Sequence, residues 1–426
     1  MEKSNKKYAA YLQILEEELV PAMGCTEPIA IAYGAAKGRE LLGALPDEVL
    51  VEASGNIIKN VKSVVVPNTG GLHGIEAAAA AGVVAGQADL LLEVISQVTK
   101  QQQEEMRAYL KEHPVRVGFL DSGLVFDIQI TLRKGEDEAK VRIANYHTNI
   151  VHMERGGQVV LDLPVEADDE SGLTDRTLLT MADIWDFAQT VDIDDVRGVL
   201  SRQIQCNTAI SQEGLAHSYG ANIGQVIRPS SRPDDPIAKA KAAPAAGSDA
   251  RMGGCELPVI INSGSGNQGI TASVPVIVYG RELGASEEKL YRALVLSNLI
   301  PIHQKTRIGR LSAYCGAVSA GAAAGAGIAY LDGGGYEEVI HTVVNALAIV
   351  SGMICDGAKA SCAGKIAAAI DAGVLGYRMY QQGQQFYGGD GILSHGVEKT
   401  LDNVGRLGKI GMRSTDKEIL QIMLQT

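Results

Sequence analysis

Apolar residues recur near the start of the chain at Tyr8, Tyr11, Leu12, Leu15 and Leu19, steps of 3, 1, 3 and 4 that mark one face of a helix ended by Pro21. A second helix is predicted from Thr26, whose hydroxyl suits a helix cap and which Glu27 and Pro28 follow in the first turn. The period then changes. Residues 49–53 and 61–66 read as strands, and a Gly-rich turn leads into an Ala-rich helix from Ile75. Over 124–134, Phe126, Ile128, Ile130 and Leu132 alternate with Asp127, Gln129, Thr131 and Arg133, the pattern of a strand buried on one side. A turn at 135–138 leads to a further strand at 140–145, and 159–163 reads as another.

Beyond Leu178 the pattern is mainly helical, with Gly and Ala packed into segments such as 317–330 and 363–372. The stretch 228–258 carries Pro229, Pro233, Pro236, Pro244 and Pro258 and is predicted to be a long surface loop or lid. The expected fold is α+β: helices over 1–44 that carry Cys25 and pack on a helical domain, a mixed α/β domain over 45–175 with a β-meander, and a mainly helical domain over 176–426. A length of 426 residues suits two domains.

Charge narrows the partners. Thirty-eight Lys and Arg against 50 Asp and Glu give a formal net charge of −12, and no basic stripe interleaved with aromatics is present, so neither nucleic acid nor an acidic membrane surface is an expected partner. The N-terminus shows no signal-peptide pattern, and the apolar stretch 318–331 is shorter than the roughly 18 to 20 residues that span a bilayer. A cytoplasmic protein is expected, with a homo-oligomer as the base-rate assembly. Six scattered cysteines do not form a secreted disulfide framework, and Cys206 and Cys255 read as small buried hydrophobes.

The three late cysteines are Cys315, Cys355 and Cys362, in AYCGAV, MICDGAK and ASCAGK. They form neither the paired cysteines of a structural zinc site nor the close spacing of a ferredoxin, so spacing leaves a cluster as one of several readings. Gly316, Gly357 and Gly364 stand beside them and would let backbone pass close to a bulky cofactor. Cys25 immediately precedes the predicted helix at Thr26, where free N–H groups favour a negative charge, so its thiol is expected to ionise readily; packing between the first two helices is the alternative.

Two Gly-rich loops offer polar contacts. SGSGNQG, residues 263–269, exposes successive N–H groups that could cradle a carboxylate, with Ser263, Ser265, Asn267 and Gln268 at hand, or is a plain turn. PNTGGLHG, residues 67–74, offers Asn68, Thr69 and His73, or is a left-handed turn before a helix. Among His147, His152, His217 and His303, the last is preferred as a site residue because Lys305, Arg307 and Arg310 follow it before Cys315.

Together, GCTEP, VPNTGG, SGSGNQGI, the CG at 315 and CDGAKASC, in this order over nearly the whole chain, resemble the L-cysteine desulfidase branch of the iron–sulfur-dependent serine dehydratase alpha-chain family. The resemblance implies a [4Fe-4S] cluster with one open iron, held by Cys315, Cys355 and Cys362, and a proton-accepting or reactive Cys25. It further implies α,β-elimination of L-cysteine to pyruvate, ammonia and hydrogen sulfide. The small amino-acid substrate would be held by Asn68, Thr69, Ser263, Ser265, Asn267, Gln268, His303 and Lys305. Bacterial serine dehydratases carry a further cysteine near the C-terminus, whereas no cysteine follows Cys362 here, which favours cysteine over serine as substrate. L-serine dehydration on the same cluster remains the alternative. A pyridoxal-phosphate lyase with Lys359 or Lys305 as Schiff base lacks a phosphate-cup motif, and a non-catalytic cysteine-binding sensor is the reading of another class.

Overall fold

The computed structural model describes residues 1–166, 172–230, 234–309 and 311–425. The chain is α+β. Eight strands occur among the described residues: β1 (Pro21–Met23), β2 (Glu48–Ala53), β3 (Val115–Phe119), β4 (Asp127–Lys134), β5 (Asp137–Ala144), β6 (Ile150–Arg155), β7 (Gln158–Asp162) and β8 (Pro258–Ile260). Six of them form one mixed sheet in the order β3-β2-β4-β5-β6-β7, in which only β2 and β3 run parallel. The predicted alternation is seen in β4 and just before it, where Phe126, Ile128, Ile130 and Leu132 are all buried. β4 pairs Ile130 with Val141 and Ile128 with Ile143, which puts the apolar side chains of two strands on one face.

That face is covered by the Thr26–Leu42 helix. Gly34 and Gly38 permit its close approach: a Cβ on Gly34 would come 2.9 Å from Ile130 Cδ1, and one on Gly38 would come 2.7 Å from Leu132 Cδ1. This corrects the expectation that the helices of 1–44 pack together on the helical region. Only the Lys6–Glu18 helix does so, with Tyr8 and Tyr11 edge-on to Phe187. The 61–66 run is not a strand either; it follows the short Gly55–Val61 helix and makes a single bridge, Val65 to His73.

The C-terminal region is helical, as expected. Within it, 228–258 is not a surface loop. The Pro236–Met252 helix fills most of that stretch and is buried along most of its length. Pro236 sits at the helix start, where a missing N–H costs nothing, and Asp235 accepts the free N–H groups of Ile237 and Ala238. Pro244 lies inside the helix, a position the sequence rule reads as a breaker. Residues 231–233 lie outside the described residues, as does Arg310.

Two helices decide the geometry of the site. Gly316–Leu331 and Ser361–Gln381 run parallel in close contact, because a Cβ on Gly373 would lie 2.3 Å from Gly321 O and one on Gly321 would lie 2.6 Å from Ala369. Cys315 caps the first helix and Cys362 is the second residue of the other, so this glycine contact sets both cysteines at one end of the pair. Gly373→Ala is expected to cost about 1–3 kcal/mol in overpacking, less the roughly 1 kcal/mol that Ala gains in helix propensity. The check is a lowered urea midpoint at unchanged slope. No helix among the described residues is long and apolar enough to cross a membrane.

Candidate functional site

One cavity of about 100 Å³ collects Cys25, Cys315, Cys355 and Cys362 on its walls, together with Glu27, Asn60, His147, Arg251, Gln268 and Lys305. Four helices begin at this cavity: Thr26–Leu42, Gly266–Glu282, Gly316–Leu331 and Ser361–Gln381. Their free N–H groups make it a favourable place for negative charge.

Cys25, not Thr26, occupies the cap position of its helix, and its side chain makes no capping hydrogen bond. Thr26 donates instead to Gly264 O at 2.8 Å, which ties the Cys25 turn to the 263–269 loop. The antiparallel pairing of β1 with β8 holds the same two segments together from behind. Gly24 has φ +58°, and a Cβ there would come 2.3 Å from Pro67 Cγ, so only glycine fits between the Cys25 turn and the 67–74 loop.

That loop therefore buttresses the turn and does not reach the cavity. Asn68 donates to Ile95 O at 2.9 Å and Thr69 to Val66 O at 2.7 Å, both of them bonds within the scaffold. Neither residue lines the cavity. His303 also lies outside it and meets the Glu398 carboxylate at 2.9 Å, where Arg307 joins at 2.7 Å. Ser263, Ser265, Asn267, Gln268 and Lys305 do line it. Among the other histidines only His147 does so; His152 pairs with Glu154 and Asp162, and His217 with Glu213.

The thiol of Cys25 is 3% exposed and donates to Glu27 Oε2 at 3.3 Å. Burial, and next the charge of Glu27, push its pKa well above the usual range, with Arg251 opposing them. The ready ionisation expected from the helix start is thus overturned: in the buried site desolvation outweighs the dipole. Burial also acts on Glu27, but its interaction with His147 and the hydrogen bonds from Asn60 (2.9 Å) and Cys25 outweigh it and keep the carboxyl below its usual range. Glu27 is therefore a buried carboxylate that accepts a hydrogen bond from the Cys25 thiol.

The three late cysteines sit on a pinned backbone. Cys355 N donates to Ala313 O at 2.6 Å and Cys315 N to Met353 O at 3.2 Å, while Lys59 Nζ reaches Cys355 O at 3.3 Å. Burial and the neighbouring Cys355 push Cys315 up to about 12, and burial raises Cys362. Among the described residues no three His, Cys, Asp or Glu side chains converge as ligands of a single metal ion. The adjacent glycines serve protein contacts: Gly316 leaves room for Gln268 Oε1, and Gly357 (φ +94°) passes close to Lys59 O.

Polar groups without partners face the cavity. Gln268 is fixed by a chain of amides, with its Nε2 donating to Asn262 Oδ1 at 3.0 Å and Asn262 in turn donating to Asn298 Oδ1 at 3.1 Å. This leaves Gln268 Oε1 as a buried acceptor with nothing to accept, and Asn60 Oδ1, Asn56 Oδ1 and Asn267 Oδ1 are in the same condition. A well-made site for a ligand carrying N–H donors has this form. The sequence reading missed Glu27 as a chemical group, and also Asn60 and Arg251.

The sequence profile of the serine dehydratase alpha chain family matches residues 89–421. A UPF0597 protein of Desulfitobacterium hafniense is 60% identical over 424 residues, covering 100% of this chain and 98% of its own length. UPF0597 proteins of Lachnoclostridium phytofermentans and Treponema denticola are 52% and 48% identical, covering 98% and 100% of this chain and the whole of their own.

Proposed function

The chain belongs to the serine dehydratase alpha chain family, and from that premise we propose that it is an iron–sulfur-dependent lyase that eliminates sulfide from L-cysteine, giving pyruvate and ammonia. The observation that carries the reading is the meeting of Cys25 and the three late cysteines in one cavity whose amide oxygens lack partners. The family is generally iron–sulfur dependent.

The donor set fits such a cofactor. Cys315, Cys355 and Cys362 are buried or half-buried thiols, and burial opposes ionisation of Cys315 and Cys362 until a cationic centre takes up the charge. Ligands of separate irons need not converge on one point. When bound, a [4Fe-4S] cluster with one open iron supplies a Lewis acid for the departing sulfur.

The chain's own residues do the rest. With a cationic centre bound and Arg251 nearby, the Cys25 thiolate is favoured over the thiol; Glu27 then receives the Sγ proton along their hydrogen bond, the thiolate takes the α-proton of the substrate, and Glu27 returns its proton to the departing sulfide. Gln268 Oε1 and Asn60 Oδ1 accept from the substrate ammonium group. The enamine left after loss of hydrogen sulfide hydrolyses without a further protein group.

The test is release of sulfide and pyruvate from L-cysteine, beside L-serine, by anaerobically reconstituted protein whose iron is measured in the same sample. Equal sulfide and pyruvate, only in iron-loaded protein, are expected. Turnover of serine alone would move the substrate to that of the family's name, and a loaded cluster with neither product would leave the cysteine-binding sensor.

A further inference from the structure

We propose that Arg251 is the anchor for the substrate α-carboxylate. The inference rests on the amino-acid substrate of the reading above and adds a residue to it. Arg251 lies in the last turn of the Pro236–Met252 helix, is 3% exposed and lines the cavity. Its Nε has no hydrogen-bond partner, and no carboxylate pairs with its guanidinium among the described residues. Other cations of the same cavity are engaged: Lys59 by Asp416, Lys365 by Asp356 and Lys305 by Gly309 O. A buried charge without a partner is costly, and such groups persist where a ligand completes them.

The surroundings fit one ligand chemistry. Glu27, the nearby carboxylate, has its oxygens taken by Asn60, Cys25 and Thr26. The guanidinium lies over Gly266, where a Cβ would come 2.3 Å from Nε and 2.7 Å from Cζ, so the helix start is left bare to seat it. Arg251 is also near enough to Cys25 and Cys362 for its charge to act on both. A planar fork there matches a carboxylate in bidentate fashion, which a lysine cannot reproduce. With carboxylate on Arg251 and ammonium on the amide oxygens, the Cα–H of an amino acid is held beside Cys25.

The experiment compares Arg251→Lys, Arg251→Gln and Gly266→Ala with the parent protein, all iron-loaded and anaerobic. It reads iron content, kinetics on L-cysteine and on cysteamine, which lacks the carboxylate, and calorimetric binding of unreactive L-alanine. The expected result is unchanged iron, a KM for L-cysteine raised by about tenfold or more in each variant with kcat less affected, and parallel weakening of L-alanine. Any sulfide released from cysteamine should be equal in all four proteins. Gly266→Ala displaces the guanidinium without removing it, so the role does not depend on a charge-deleted protein folding.

If Arg251→Gln lost iron while Arg251→Lys kept both iron and KM, the arginine would be balancing cluster charge and the anchor would be overturned. Sulfide release with KM unchanged in all three variants would overturn the anchor and leave the lyase reading standing. Binding of L-alanine that depends on Arg251 in a protein that releases no sulfide would do the reverse. A parent protein that binds no L-alanine would remove the anchor.

Discussion

Replacing Cys25 by Ala is expected to lower turnover of L-cysteine by about 10³-fold or more while the visible absorption of the iron centre remains. The thiol makes no capping bond to its helix, so its removal leaves the Thr26–Leu42 helix start intact, and Thr26 still donates to Gly264 O. What is lost is the sulfur that donates to Glu27. Burial and Glu27 lift the thiol pKa, so Cys25 needs an acceptor for its proton before it can act as a base, and Glu27 is the carboxylate that its thiol touches. Glu27→Gln removes that acceptor with little change of shape and is expected to reduce kcat by about 10²-fold with the thiol still present. Loss of iron in Cys25→Ala would instead make Cys25 a cluster ligand, and full activity would remove it from the chemistry.

Cys355→Ala is expected to lose bound iron and activity together, with thermal stability of the iron-free protein unchanged. The backbone at this position is held independently of the sulfur, by Cys355 N to Ala313 O, the Tyr314–Ile354 bridge and Lys59 Nζ on Cys355 O. The side chain is only half-buried, so its truncation opens little cavity. Iron content and activity assayed beside Cys206→Ala, a cysteine outside the cavity, separate ligand loss from general thiol effects. Retention of full iron in Cys355→Ala would show the ligand set to be wrong.

The sheet was legible because its burial is one-sided. Phe126, Ile128, Ile130 and Leu132 alternate only if one face of β4 meets a core, and that period survives in the sequence. Prolines misled where tertiary packing overrides their local meaning: Pro236 and Pro244 lie in a buried helix whose Ala and Gly residues fit tight spaces that a loop would not fill. In the site, the cysteines and the 263–269 loop announced themselves through residue type and glycine spacing. Asn68, Thr69 and His303 looked equally chemical, yet their hydrogen bonds are spent on the scaffold, which no local pattern reveals. Glu27 was read as a helix-start acid and Arg251 was not singled out, since each acquires its role only from neighbours distant in sequence.

The bond from Thr26 to Gly264 joins residues 238 positions apart, and the β1–β8 pairing spans the same gap. During synthesis the segment around Cys25 emerges early and soon meets Asn60 and Pro67, but its partners at 258–264 come only after more than half of the chain has followed it. Contacts of such separation form late, after local helices and hairpins. The cavity thus closes late, and a ribosome-bound fragment ending before residue 258 leaves the Cys25 turn without β8 and Gly264, and without the walls that Cys315, Cys355 and Cys362 supply.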